Sequence, residues 1–161
     1  MISPPQLNEH NKEEYPPMHT AEHLLNQTMI RMFGCGRSSN AHIERKKSKI
    51  SYNLPECPSE EKINDITAYI NQIISKDLLV SYEFVSIDQL PKEIMSNRLP
   101  ENASNIIRLV RIGDYDVCTC IGKHVEHTSQ IGIFKLLGTN WDEEKKSFRI
   151  RFKLEGTNFS E

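Results

Sequence analysis

The stretch PPMHTAEHLLNQTMIRMF, residues 16–33, sets the first element of the fold. Its large apolar side chains recur at helical intervals, and Pro17 suits a first helical turn because a backbone N–H would have no partner there. The GCG sequence at 34–36 provides a helix stop. We therefore predict an amphipathic helix that ends at Phe33. Its apolar stripe consists of Leu25, Met29, Met32 and Phe33.

Two histidines, His19 and His23, lie four positions apart near the start of this helix. Each helical residue advances by about 100°, so residues four apart share a face and can bind one ion together. A histidine pair on its own is more typical of surface or capping chemistry than of a metal site. Glu22 precedes the second histidine instead of following the first, so the pair is not the HExxH motif of metalloproteases.

The later sequence CTCIGKHVEH contains residues that complete this pair. Cys120 and His124 are spaced as CxxxH on a glycine-containing loop, just after an apolar strand. A thiolate and an imidazole at this spacing can close a tetrahedral site with His19 and His23, and one sulfur with three nitrogens favours zinc over magnesium or calcium. Cys118 points to the same side of the strand as Cys120, and it either faces the site or is a small buried side chain.

The first half of the chain predicts a second helix and two strands. SEEKINDITAYINQIISKD carries isoleucines at helical intervals after Ser59, whose side chain suits an N-cap. SKISYNL alternates apolar and polar residues and LLVSYEFVSI is rich in β-forming residues, so both are predicted strands. DQLPKEIM (88–95) is predicted as a short helix or turn, and SNRLPENASN (96–105) as a loop.

The second half of the chain predicts two antiparallel pairs of strands. IIRLVRIGDYDVCTCI reads as a hairpin through its Gly-Asp turn, and IGIFKLLGTNW is expected to pair with SFRIRFKLEG. Two main helices with five or six strands predict an α+β fold with a mainly antiparallel sheet. The predicted metal site then lies between the first helix and a loop after a late strand.

Chain length and net charge limit the classes of protein to which this sequence can belong. The chain of 161 residues fits one domain, which we place at 18–161 behind an N-terminal arm at 1–17. Its 20 basic and 22 acidic residues give a net charge of −2, which excludes binding to any nucleic acid by overall charge. A nucleic-acid contact would be local, at ERKKSK or KKSFRIRFK, although a solvated face is the more ordinary explanation of each stretch. Without a long apolar run or a leader, we expect a cytoplasmic protein with reduced cysteines and no membrane partner.

Two linked motifs carry a family resemblance. HTAEHLL together with RIGDYDVCTCIGKHVEHTSQIGIFKLL resembles the editing domain of alanyl- and threonyl-tRNA synthetases, their second additional domain. The chain is most similar to AlaX, the free-standing relatives that deacylate mischarged tRNA in trans. In that family HxxxH is followed late in the domain by CxGxH and then by T-x-x-IG-x-F. The matching residues here are His19, His23, Cys120, Gly122, His124, Thr128, Ile131, Gly132 and Phe134.

The resemblance implies an α+β fold and an aminoacyl-tRNA hydrolase that binds Zn²⁺ through His19, His23, Cys120 and His124. The implied reaction is hydrolysis of the ester between a wrong amino acid and the 3′-terminal ribose of tRNA. Serine on alanine tRNA is the usual target, and the partner is the mischarged acceptor end. The family loop is commonly CGGTH or CRGPH, with an acidic residue often two positions before the cysteine. Here Ile121 replaces the first small or basic residue of that loop, and Lys123 stands in the Thr or Pro position. Cys118 stands where the acidic residue is often found.

Several residues around the predicted ligands are candidates for contacting the substrate. Thr20 either hydrogen-bonds a serine hydroxyl or bonds its own helix backbone. Lys123 either meets the terminal phosphate or the ester carbonyl, or is an exposed loop lysine. Gly122 and Cys118 complete this predicted substrate-binding group. The sequence identifies no general base and no oligomeric state.

Two further functions remain open from the residues alone. Four protein ligands are typical of a structural zinc, whereas a catalytic zinc keeps one position open. The chain could therefore be a non-catalytic, zinc-stabilised module that binds tRNA or a synthetase. The acidic net charge also leaves open a hydrolase of a small amino-acid derivative.

Overall fold

The computed structural model describes residues 15–89 and 106–160, and this part of the chain has the α+β fold that the sequence predicts. Two helices, α1 and α2, pack with two antiparallel sheets. The helices are α1 (Pro16–Phe33) and α2 (Glu60–Ser75). The strands are β1 (Asn40–His42), β2 (Ser48–Asn53), β3 (Val80–Ser86), β4 (Ile106–Ile112), β5 (Asp116–Thr119), β6 (Ile133–Asp142) and β7 (Ser147–Glu155). Short 3-10 turns cover Ile87–Gln89 and Thr128–Ile131.

Within residues 15–89 and 106–160, the strands form two sheets, whereas the sequence predicts one. The larger sheet has the order β1-β2-β7-β6 and the smaller one the order β3-β4-β5, with every neighbouring pair antiparallel. Both predicted pairs, β4 with β5 and β6 with β7, are confirmed. The sheets separate because the chain leaves β5 at Thr119, crosses a loop and a 3-10 turn, and enters β6 on the other sheet. The short strand β1 was not predicted, because Asn-Ala-His has little β-propensity of its own. It is a strand because it pairs with β2.

Helix boundaries follow the predicted signals closely. Helix α1 begins at Pro16, so the last two residues of the predicted arm belong to the helix, because proline fits a first turn. It ends where Gly34, with φ +70°, donates its N–H to the carbonyl of Ile30. Ser59 caps α2 as predicted by accepting a hydrogen bond from the N–H of Lys62.

The core lies between the inner face of the larger sheet and the two helices. Phe148, Ile150 and Phe152 alternate along β7 with exposed arginines, and all three are fully buried. Phe134 of β6 stacks on Phe152 with ring centroids 4.9 Å apart. The helices cover this face with Leu24, Leu25, Met29, Ile66, Ile70, Ile73 and Ile74.

The TSQIG segment fixes the loop after β5 to both helices and the larger sheet. The buried Thr128 hydroxyl accepts a hydrogen bond from the N–H of Leu78 and lies 3.2 Å from the carbonyl of Ile74, at the end of α2. Ile131 is fully buried. A side chain at Gly132, whose φ is +92°, would come within 2.3 Å of a backbone oxygen of β7. The spacing of Thr, Ile and Gly in this segment is therefore a packing requirement.

Parts of the remaining predictions fall outside the described residues. Asp88 and Gln89 belong to the 3-10 turn after β3, while the rest of the 88–95 segment and the 96–105 loop lie outside the described part. Among the described residues, neither helix has the length and apolarity needed to span a bilayer.

Replacing Phe152 by alanine should destabilise the fold by about 3–5 kcal/mol, because it removes a fully buried ring and leaves a cavity against Phe134. The free energy of unfolding can be measured with urea. Phe84→Ala is the matched control: this ring is 69% exposed, so its loss should change stability by less than about 0.5 kcal/mol. Equal effects of the two substitutions would contradict this account of the core.

Candidate metal centre

The four residues predicted as ligands lie together in the structure. One ligand atom from each of His19, His23, Cys120 and His124 lies within 4.8 Å of every other. His23 and His124 are buried, and His19 and Cys120 are partly exposed at one side of the group. The group thus has the residue types, separation and partial solvent access expected of a metal site.

The first half of α1 and the loop after β5 bring these residues together. His19 and His23 are one helical turn apart, and their ring centroids are 5.0 Å apart. The ring of His124 lies across the gap, 4.3 Å from His19 and 4.5 Å from His23. Cys120 is the first residue after β5, and its Sγ is 3.5 Å from Nε2 of His19.

Each histidine has a partner for its outer ring nitrogen. Nδ1 of His19 is 3.0 Å from the carbonyl oxygen of Lys123, which can only accept, so this nitrogen carries the proton. Nδ1 of His124 is 2.9 Å from the hydroxyl of Thr20. The carbonyl partner of His19 selects the tautomer whose Nε2 is free to bind a metal, whereas the Thr20 hydroxyl can either donate to Nδ1 of His124 or accept from it.

The outer nitrogen of His23 faces a carboxylate. Its Nδ1 is 3.5 Å from Oδ2 of Asp116, which is itself buried. Arg37 forms an ion pair with the other oxygen of Asp116, and Gln27 donates to the same oxygen at 2.7 Å. Burial raises the pKa of Asp116, but His23 and Arg37 more than offset it and hold the pKa at about 2, so the carboxylate is ionised.

Two of the four predicted ligands, Cys120 and His124, have the charge states that metal ligands need. Burial opposes ionisation of Cys120, but the imidazoles of His124, His19 and His23 lower its pKa far below that of an ordinary thiol, so the sulfur is a thiolate. Burial lowers the pKa of His124 to about 3, which keeps its imidazole neutral. Its buried Nε2 makes no hydrogen bond within the described part of the chain. A neutral imidazole whose inward nitrogen has no hydrogen bond, beside a thiolate, fits a metal ion.

Hydrogen bonds shape the loop that carries Cys120. Arg108 of β4 donates from Nε to the carbonyl oxygen of Cys120 at 2.8 Å and from Nη2 to that of Gly122 at 2.5 Å. The N–H of Gly122 donates to Sγ of Cys120 at 3.4 Å. These contacts hold the thiolate in place after the strand has ended.

The four residues predicted to contact substrate differ in how far they are exposed to solvent. Thr20 is fully buried. Its hydroxyl contacts Nδ1 of His124 and accepts a hydrogen bond from the N–H of Val125, so it connects α1 to the loop after β5. Cys118 is half-buried and outside the ligand group; burial raises the pKa of its thiol to about 12. Gly122 and Lys123 are on the loop at the partly exposed side. The substrate contacts predicted for all four residues stay predictions.

Sequence reasoning missed Asp116, Arg37 and Arg108. The period-two alternation that places Cys118 on the side of Cys120 also places Asp116 there, so that signal could have found the carboxylate. Arg37 and Arg108 reach the site only through the packing of separate elements, and local spacing does not reveal such contacts.

Sequence comparisons with known proteins identify related proteins for most of this chain. Residues 107–151 match the family model described as the threonyl and alanyl tRNA synthetase second additional domain. An alanine–tRNA ligase of Caldicellulosiruptor saccharolyticus is 33% identical over 120 residues, which are 74% of this chain and 14% of the ligase. The alanyl-tRNA editing protein AlaX-L of Pyrococcus horikoshii is 33% identical over 138 residues, 84% of this chain and 32% of AlaX-L.

The chain thus spans about a third of AlaX-L and about a seventh of the ligase. The alignments cover most of this chain, and the family match includes both β5 and the Cys120–His124 loop. This chain is a member of the threonyl/alanyl-tRNA synthetase editing domain family, as its two linked motifs predicted.

Proposed function

We propose that this protein is a zinc-dependent aminoacyl-tRNA deacylase that edits mischarged tRNA in trans, with Ser-tRNA(Ala) as its substrate. One observation carries the proposal: three imidazoles and a thiolate converge within 4.8 Å at a partly exposed site of an editing-family domain. Outer partners for all three histidines and an ionised sulfur support zinc held by His19, His23, Cys120 and His124. Bound zinc supplies Lewis-acid chemistry that polarises an ester carbonyl.

The reaction is a hydrolysis. The oxygen of a water molecule bonds to the ester carbonyl carbon, and the bond from that carbon to the ribose oxygen breaks. The products are a free amino acid and a tRNA with a free terminal hydroxyl, which takes up a proton. An aminoacyl ester is already reactive, so positioning is sufficient and a covalent nucleophile on the protein is not required.

Residues of this chain act on the substrate from the exposed side of the site. A carboxylate oxygen of Glu22 is 3.9 Å from Nε2 of His19, with about a fifth of the Glu22 side chain exposed, so it can accept a proton from an attacking water. Lys123 is exposed on the same loop as the thiolate and presents its charge to the terminal phosphate. Thr20 positions His124 through its hydroxyl.

Cys120→Ala should remove the only anionic ligand among the four and abolish stoichiometric zinc binding. Metal content measured by mass spectrometry after dialysis against zinc checks this. Cys57→Ala is the matched control, because that cysteine is exposed and outside the ligand group. Full zinc occupancy in the Cys120 variant would contradict the ligand assignment.

Asp116→Asn should weaken zinc binding by about 10–100-fold, because the outer partner of His23 loses its charge. Competition with a chromophoric chelator measures the affinity. Asp114→Asn, in the exposed turn before β5, should leave the affinity unchanged. The assignment of Asp116 as the positioning partner fails if both variants bind zinc like the parent protein.

Zinc-loaded protein should release serine from Ser-tRNA(Ala) well above the spontaneous rate, and His23→Ala should lose this activity. His42→Ala, an exposed histidine of β1, should retain it. Ser-tRNA(Thr) in parallel tests the choice of tRNA. Binding of tRNA without any accelerated release would favour the non-catalytic, zinc-stabilised module instead, and failure to bind tRNA at low salt would favour a small amino-acid derivative as substrate.

A further inference from the structure

Two aromatic side chains of β3 are exposed next to the metal centre. Tyr82 is 43% exposed and Phe84 is 69% exposed, and residues two apart on a strand share one face. The opposite face of the same sheet packs into a small core around Ile107 and Leu109. The two rings are thus on the other face of the sheet, and neither belongs to the buried hydrophobic clusters of the described residues.

Strand register connects this aromatic face to the metal centre. Tyr82 is opposite Val110 of β4, and Val110 is opposite Cys118 of β5, two residues before Cys120. Paired residues of antiparallel strands point to the same side, so the aromatic face continues toward the thiolate. The ring centroids of Tyr82 and His124 are 6.4 Å apart.

Arg108 is on the same face of the sheet as the two rings and holds the ligand loop at the same time. It is the cross-strand partner of Phe84, and its guanidinium carbon is 4.6 Å from the ring centre of Tyr82. The same guanidinium donates to the carbonyls of Cys120 and Gly122. A planar cation over one exposed ring and opposite another on the neighbouring strand makes a surface that is both apolar and positively charged.

We propose that Tyr82, Arg108 and Phe84 form a stacking platform for the unpaired 3′-terminal nucleobase of the RNA substrate. The inference rests on the proposed function, because the ester to be hydrolysed is on the ribose of that terminal nucleotide. A flat apolar base and its phosphate together match aromatic rings beside a guanidinium, and single-stranded RNA is commonly bound in this way. The platform begins at a ring that contacts a predicted metal ligand, so a base stacked there keeps its ribose beside the metal centre.

A fluorescent RNA tests the platform directly. The probe is a short single-stranded RNA with 2-aminopurine as its 3′-terminal base, whose emission falls when the base stacks. Binding to zinc-loaded wild-type protein should quench the emission. Tyr82→Ala and Phe84→Ala should each lose quenching and raise the Kd by about 10-fold, and the double variant by more. Phe84→Trp, which keeps a ring, should retain both.

Tyr69→Ala is the matched control, since this tyrosine of α2 is 46% exposed and outside the platform. It should bind and quench like the parent protein. Because Phe84 is so exposed, its alanine variant keeps the fold, and urea unfolding of every variant verifies this. Unchanged Kd and quenching in the Tyr82/Phe84 double variant would overturn the proposal, as would a wild-type protein that binds the probe without quenching or not at all.

Hydrolysis of a serine ester on the same RNA separates this proposal from the proposed function. Wild-type protein that binds and quenches but does not hydrolyse would refute the deacylase and leave the platform standing. Protein that hydrolyses the ester with a KM unchanged in the double variant would refute the platform and leave the deacylase standing. Self-association that disappears in Phe84→Ala, together with unquenched probe, would assign the face to a second copy of the chain and overturn the proposal.

Discussion

The contact between the first half of α1 and the loop after β5 is the constraint on which the site depends. Thr20 marks its centre, where one buried hydroxyl meets both the ring of His124 and the N–H of Val125. On either side of it, His19 and His23 face the thiolate of Cys120. The TSQIG segment fixes the other end of the same loop to α2 and the larger sheet, so the loop is held at both ends.

The contacts at the outer ring nitrogens determine what this site can do chemically. Three histidines placed together at random would present a mixture of protonated and unprotonated nitrogens to one another. Here a carbonyl, a hydroxyl and a carboxylate each face one outer nitrogen, which leaves all three inner nitrogens directed toward one sulfur. Asp116 also binds Gln27 of α1 and Arg37 of the segment that follows α1, so it connects these two parts of the chain. Site geometry and local fold stability therefore share the same polar contacts.

Local signals predicted the elements well and their assembly less well. Proline, glycine and Ser59 act within a few residues, so both helices could be placed from the sequence, and period-two patterns gave the hairpins. The ligand group could be predicted because two spaced pairs and a family resemblance agreed. The division into two sheets, the short strand β1 and the roles of Arg37 and Arg108 depend on contacts between distant elements, and neither spacing nor propensity encodes them.

The separation of the ligands along the chain has a consequence for folding. His19 and Cys120 are 101 residues apart, so an unfolded chain offers a metal only two distant pairs of ligands. Bringing the pairs together requires closing a long loop, whose entropy cost is met only when the helices and sheets have assembled. A metal ion that needs all four ligands therefore binds late and cannot nucleate the domain. Because such an ion would bind only the folded chain, it would raise the free energy of unfolding through mass action, and a chelator would lower that free energy again without preventing folding.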